Sequence, residues 1–71
     1  MASSILKKFG KKVRTLRNER GVSQEELGRI AKLHRTYIGM IERGEKNITL
    51  ENVEKISDAL GVSVHKMFAD L

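Results

Sequence analysis

His34, Arg35, Thr36 and Tyr37 stand together near the middle of a 71-residue chain, and all four carry side chains able to reach the edge of a nucleic-acid base. They open the second half of the stretch SQEELGRIAKLHRTYIGMIERG, residues 23–44, which reads as two short helices joined by a tight turn. In a helix-turn-helix the second helix enters the DNA major groove and its first residues meet the bases. Other chemistry finds no support. There is no cysteine for a disulfide, a thiolate metal site or a nucleophile. His34 and His65 are isolated from any carboxylate at metal-ligand spacing, with His34 expected near a helix N-cap and His65 on the surface. No glycine-rich phosphate loop, nucleophile elbow or pair of catalytic carboxylates is present. The chain is therefore expected to be no enzyme and to need no cofactor, metal or small-molecule ligand.

Around these residues the sequence predicts an all-α domain of five short helices. Helix one is expected over 4–20, where Ile5, Phe9, Val13 and Leu16 recur at spacings of four, four and three, with Leu6 beside them. Gly10 lies inside it at a cost of about 1 kcal/mol relative to alanine, and Gly21 is the stop. Ser23 and Glu26 form an S-x-x-E capping box at the start of helix two, whose inner face is Leu27, Ile30 and Ala31. Helix three, the recognition helix, is expected over 35–43, with Ile38 and Ile41 inward and Gly44 after it. Arg35, Thr36, Gly39 and Met40 are left along its exposed side, with Tyr37 at the margin. A polar loop Glu45-Lys46-Asn47 follows. Thr49 caps helix four, with Leu50, Val53, Ile56 and Leu60 as its stripe and Gly61 as its stop. Ser63 caps the last helix, about 63–71, which holds Val64, Met67, Phe68 and Leu71.

Seventy-one residues make one domain, 1–71, with one modest core. The net charge is +5, unevenly spread: residues 1–20 hold seven Lys/Arg against one Glu, a net +6, while residues 48–71 hold two Lys against four Asp/Glu, a net −2. A basic N-terminal half suits a polyanion such as nucleic acid, although solvated helix faces account for a charge of +5 nearly as well. Lys7, Lys8, Lys11 and Lys12 are read as such a face adding long-range attraction, rather than as a membrane anchor, because the apolar stripe beside them is needed for the core. No run approaches the roughly 18 apolar residues that span a bilayer, and MASSILKKFGKK has no signal-peptide core. The expected location is the cytoplasm of a cell whose DNA is accessible there.

SQEELGRIAKLHRTYIGMIERGEKNITLENVEKI resembles the Cro/repressor-type, or XRE, helix-turn-helix family, over roughly residues 9–71. HRTYI followed by IERG-x-x-N-[IL]-[ST]-L is most similar to the controller proteins of restriction–modification systems. The resemblance implies a compact lambda-repressor-like fold and a sequence-specific transcriptional regulator, a dimer on a palindromic operator in double-stranded DNA. Arg35 and Thr36 match its base-reading positions, with Tyr37 and Met40 beside them. Arginine reads guanine through O6 and N7, worth about 1–3 kcal/mol of discrimination. Ser23 and Gln24 match the phosphate-binding start of helix two, and Arg43, Lys46 and Asn47 the loop that grips the flanking backbone. Arg17 and Glu42 match an ion pair that ties helix one to the recognition helix. The chain departs from the family at Gly28, where alanine is usual, and at Lys32, a turn position where glycine is common. Both departures imply a weaker motif.

Two assignments stay open on the residues alone. Tyr37 is either half-buried against helix two or in contact with DNA. Met67, Phe68 and Leu71 either close the core or form a two-fold dimer interface, and the second is preferred, since a reader with one recognition helix gains specificity from a second half-site. The rival functions are an antitoxin-type autoregulator and a protein-interaction module without DNA binding.

Overall fold

A computed structural model describes residues 4–71; the first three residues of the expected 1–71 domain lie outside the described residues. Five helices follow one another: α1 Ser4–Arg20, α2 Gln24–Ala31, α3 Arg35–Glu42, α4 Leu50–Leu60 and α5 Val64–Phe68. No strand occurs among the described residues.

Caps set the boundaries. Ser23, Thr49 and Ser63 each take an extended backbone, and their hydroxyls accept from the amides of Glu26, Asn52 and Lys66. Only half of the expected capping box forms, because the Glu26 carboxylate turns to Arg29 Nη2 at 3.5 Å. His34 caps α3 through Nδ1, which accepts from the Thr36 amide at 3.0 Å. Gly21 and Gly61 end α1 and α4 as expected.

The core is one cluster in which every helix takes part. Phe9, Val13 and Leu16 come from α1, Leu27 and Ala31 from α2, Ile38 and Ile41 from α3, Val53, Ile56, Ala59 and Leu60 from α4, and Met67 from α5. Leu33, the hydrophobic residue of the α2–α3 turn, packs against it. Polar ties run from α1 to the ends of chain-distant helices: Arg20 Nη1 donates to the Leu60 carbonyl at 3.0 Å, and Lys12 Nζ to that of Ala69 at 3.1 Å.

Several expected core positions lie further out. Ile5, Ile30 and Val64 are 52%, 42% and 41% exposed, and Leu50 is 81% exposed. Ile5, Leu50 and Val64 lie in the first turns of their helices and Ile30 in the last turn of α2.

The two departures in the motif prove to be one feature. Lys32 adopts the left-handed conformation (φ 61°, ψ 41°) and caps α2. The amide of Leu33 then donates to the Gly28 carbonyl at 2.8 Å, which folds the turn back over α2. A Cβ at position 28 would overlap the Leu33 carbonyl oxygen. Gly28 is thus the residue that lets a tight turn close, not a weak point in the helix. Gly10 has the same function in α1: a Cβ there would overlap the backbone carbonyls of Ile41 and Glu42, so α1 crosses the end of α3 in backbone contact.

Candidate nucleic-acid interface

The eight residues of α3 span about 12 Å at 1.5 Å per residue, close to the roughly 12 Å width of the major groove. Its inner face is fixed by Ile38 and Ile41 in the core. Its C-terminal end is fixed by charge. The Glu42 side chain is 0% exposed and Arg17 13%. Arg17 grips Glu42 in a fork, Nε donating to Oε2 at 2.6 Å and Nη2 to Oε1 at 3.1 Å. Gln24 Nε2 donates to Oε1 at 3.0 Å, and Arg14 Nε lies 3.4 Å from the same oxygen. Arg17 Nη1 also donates to the Val22 carbonyl at 2.9 Å. One carboxylate thereby ties α1, the α1–α2 turn and the start of α2 to the end of α3.

Burial pushes the Glu42 carboxyl up. The hydrogen bonds from Arg17 and Gln24, the Arg17 charge and the Arg14 contact pull it down by more, so it settles below its ordinary value of 4.5. None of the described buried side-chain nitrogens and oxygens lacks a hydrogen-bond partner, so the buried charge is compensated.

The N-terminal turn of α3 is open by contrast. Arg35 and Thr36 are exposed. Arg35 Nη1 is 3.1 Å from Glu25 Oε2, an ion pair across the turn whose side chains are 64% and 73% exposed. Tyr37 is half-buried, and its hydroxyl accepts from Asn52 Nδ2 of α4 at 2.9 Å; of the two readings left open, half-burial is what the fold shows, with a polar partner on α4. Met40 is half-buried. Gly39 is buried rather than on the exposed side: Arg43 Nη1 and Gln24 Oε1 lie 3.1 and 3.4 Å from where its Cβ would stand.

Around this turn stand the residues matched to backbone contact. Ser23 is exposed, with its hydroxyl engaged in the α2 cap. The Gln24 side chain is half-buried and committed to Glu42, so what α2 presents outward at this point is its first amides, which have no intrahelical acceptor. Arg43, Lys46 and Asn47 are exposed beyond the end of α3, and Arg43 Nε pairs with Glu45 Oε2 at 3.0 Å.

A helix-turn-helix family model matches residues 13–66, which include every element just described from the middle of α1 to α5. The control protein C.BamHI of Bacillus amyloliquefaciens is 52% identical over 63 residues, covering 87% of this chain and 78% of its own. The chain belongs to the XRE-type helix-turn-helix family of DNA-binding transcription regulators. It is not an enzyme. The control protein C.MunI of a Mycoplasma species is 42% identical over 65 residues, covering 90% of this chain and 88% of its own. The crystal structure of the restriction–modification controller protein C.AhdI from Aeromonas hydrophila superposes with a TM-score of 0.91 at 39% identity, over 93% of this chain and 100% of that one.

Within that frame three residues enter the site that the sequence did not single out. Arg14 joins Arg17 on Glu42 from one helical turn earlier, which its spacing of three already permitted. Glu25 and Asn52 hold Arg35 and Tyr37 through contacts across the turn and between helices, for which the sequence carries no periodic signal.

One assignment is corrected. Met67 is 0% exposed and belongs to the core, so it has no surface to offer a second copy. Phe68 is 39% exposed, with its ring stacked on Phe9 at 5.2 Å between centroids, and Leu71 is half-buried against the core. α5 is only five residues long; its inward side must carry Met67, which leaves the outward side to Val64 and Phe68. Among the described residues no helix is long and apolar enough to cross a membrane, and no cluster of His, Asp and Glu is arranged to hold a metal.

Proposed function

We propose that this chain is the controller of a restriction–modification operon, acting in the cytoplasm as a homodimer on a palindromic operator, with no small-molecule ligand. The carrying observation is the contrast along α3. Its C-terminal end is locked by the buried Glu42 network, and its first turn offers Arg35 and Thr36 to solvent. A helix held so firmly at one end can present the other in a fixed register to a groove.

In this reading Arg35 donates two hydrogen bonds to a guanine and Thr36 meets a neighbouring base. Tyr37 and Met40 line the edge of the readout. The start of α2, its cap Ser23 and first residue Gln24, holds one phosphate, and Arg43, Lys46 and Asn47 hold another further along the strand. Phe68 and Leu71 supply the apolar centre of the two-fold contact, with Val64 beside them. A two-fold dimer then places its half-sites about 34–36 Å apart. The controller relatives support the choice of operon.

Selection of bound duplexes from a random pool, followed by sedimentation of the complex, tests this. The expected outcome is an inverted repeat bound by two copies. Recovery of no enriched sequence, or of a single half-site bound by one copy, contradicts it.

A further inference from the structure

Arg35 carries a partner on its own chain. The pair with Glu25 joins the first turn of α2 to the first residue of α3, with Glu25 Oε2 3.1 Å from Arg35 Nη1. The other acidic residues near the motif are engaged elsewhere: Glu26 with Arg29 inside α2, Glu45 with Arg43 beyond α3, and Glu42 in the buried network. Glu25 is the carboxylate that reaches a residue assigned to base reading.

The atoms involved decide what the pair can do. A guanidinium has five N–H donors in a planar fork, and reading guanine takes two adjacent ones. Glu25 is bonded to Nη1. The edge formed by Nε and Nη2 remains, and it is itself a two-donor fork. With 64% of the Arg35 side chain exposed, the guanidinium can meet a base along that edge while Nη1 stays on the carboxylate.

We propose that Glu25 is a positioning residue that raises the discrimination of Arg35 between operator and random DNA. The inference rests on the reading of Arg35 as a base contact. It has two physical parts. A long arginine side chain loses rotamer freedom when it docks, and one already held by a carboxylate loses less. On random DNA the partner on offer is a phosphate, which carries no sequence information. There the Glu25 carboxylate competes for the same cation and weakens the contact. On a guanine the geometry of two parallel hydrogen bonds outweighs that competition.

The test measures dissociation constants on the selected operator and on a random duplex of equal length, at one salt concentration. The proteins are the unmodified chain, Glu25→Gln, Arg35→Ala and the double variant. Glu25→Gln is expected to tighten binding to random DNA without tightening the operator complex. The ratio of the two then falls about threefold, the scale of an exposed ion pair. In the Arg35→Ala background the same substitution is expected to shift both DNAs by one common factor and leave the ratio unchanged. Because Glu25 and Arg35 are both exposed, thermal unfolding should be unaltered, which separates this outcome from a loss of fold. A ratio that falls with Arg35→Ala but does not move with Glu25→Gln overturns the Glu25 proposal alone. So does a Glu25→Gln effect of the same size in the Arg35→Ala background, since the carboxylate would then act without Arg35. A ratio unmoved by Arg35→Ala overturns the base-reading assignment and this proposal with it.

Discussion

The two ends of the recognition helix are built in opposite ways. At the C-terminal end Glu42 is sealed from solvent and receives hydrogen bonds from Arg17, Gln24 and Arg14. At the N-terminal end Arg35 and Thr36 lie in solvent, and the ion pair of Arg35 with Glu25 is itself exposed. An interaction in the first setting is worth several kcal/mol when broken, because it leaves a buried charge behind. In the second it is worth well under 1 kcal/mol. The inner end therefore governs whether the helix is held, and the outer end what it binds. Substitutions at the two ends should separate cleanly into loss of stability and loss of recognition.

Glu42→Ala should produce the largest effect, about 3 kcal/mol of destabilisation from unpaired Arg17. For a domain of this size that lowers Tm by roughly 12 °C or more, measurable by circular dichroism. The pH dependence has a definite sign. The folded-state carboxyl of Glu42 lies below its ordinary value of 4.5. Its stabilising contribution is thus complete above that value and disappears as pH falls through the depressed one. The unmodified chain should lose its stability advantage over Glu42→Gln in that acid range. An advantage that persists there would mean that the charge on Glu42 is not what holds the helix.

Gly28→Ala comes next, and its sign is informative. Helix propensity favours alanine by about 1 kcal/mol, whereas the overlap with the Leu33 carbonyl costs about 1–3 kcal/mol. The overlap wins, so the variant should melt at a lower temperature; a stabilised variant would mean that the turn does not close over α2 in this way. Lys46→Ala acts only at the outer surface. It should weaken binding to every sequence alike and make the dependence of log affinity on log salt shallower by about one, with Tm unchanged. Lys32→Gly is the smallest effect, a stabilisation of under about 1 kcal/mol. It relieves the left-handed backbone but frees the unfolded chain.

The same division explains what could be read from the sequence. The fold was legible because its signals are local: Ser23, Thr49 and Ser63 cap helices, Gly21 and Gly61 stop them, and Val13, Leu16, Ile38 and Ile41 repeat at helical spacing. Position within a face was less so. Leu50 continues the stripe of α4 yet is 81% exposed at the helix's first residue. Met67 shared a pattern with Phe68, and only packing against the other helices puts one inside and leaves the other at the surface. The Arg17–Glu42 contact came into view through resemblance, since no rule of spacing links residues 25 apart. Glu25 and Asn52 were invisible for the same reason. Gly28 looked like a defect because its purpose is set by the backbone of the following turn, five residues later.

In the proposed function Arg35 reads a base and does more than supply charge. Titration of Arg35→Ala against the selected operator and against operators altered at one base pair tests it most directly. The expected result is a loss of about 1–3 kcal/mol on the operator, with discrimination relaxed at one base pair per half-site and kept at the others. An equal loss of affinity on operator and random DNA, with discrimination intact at every position, would contradict it.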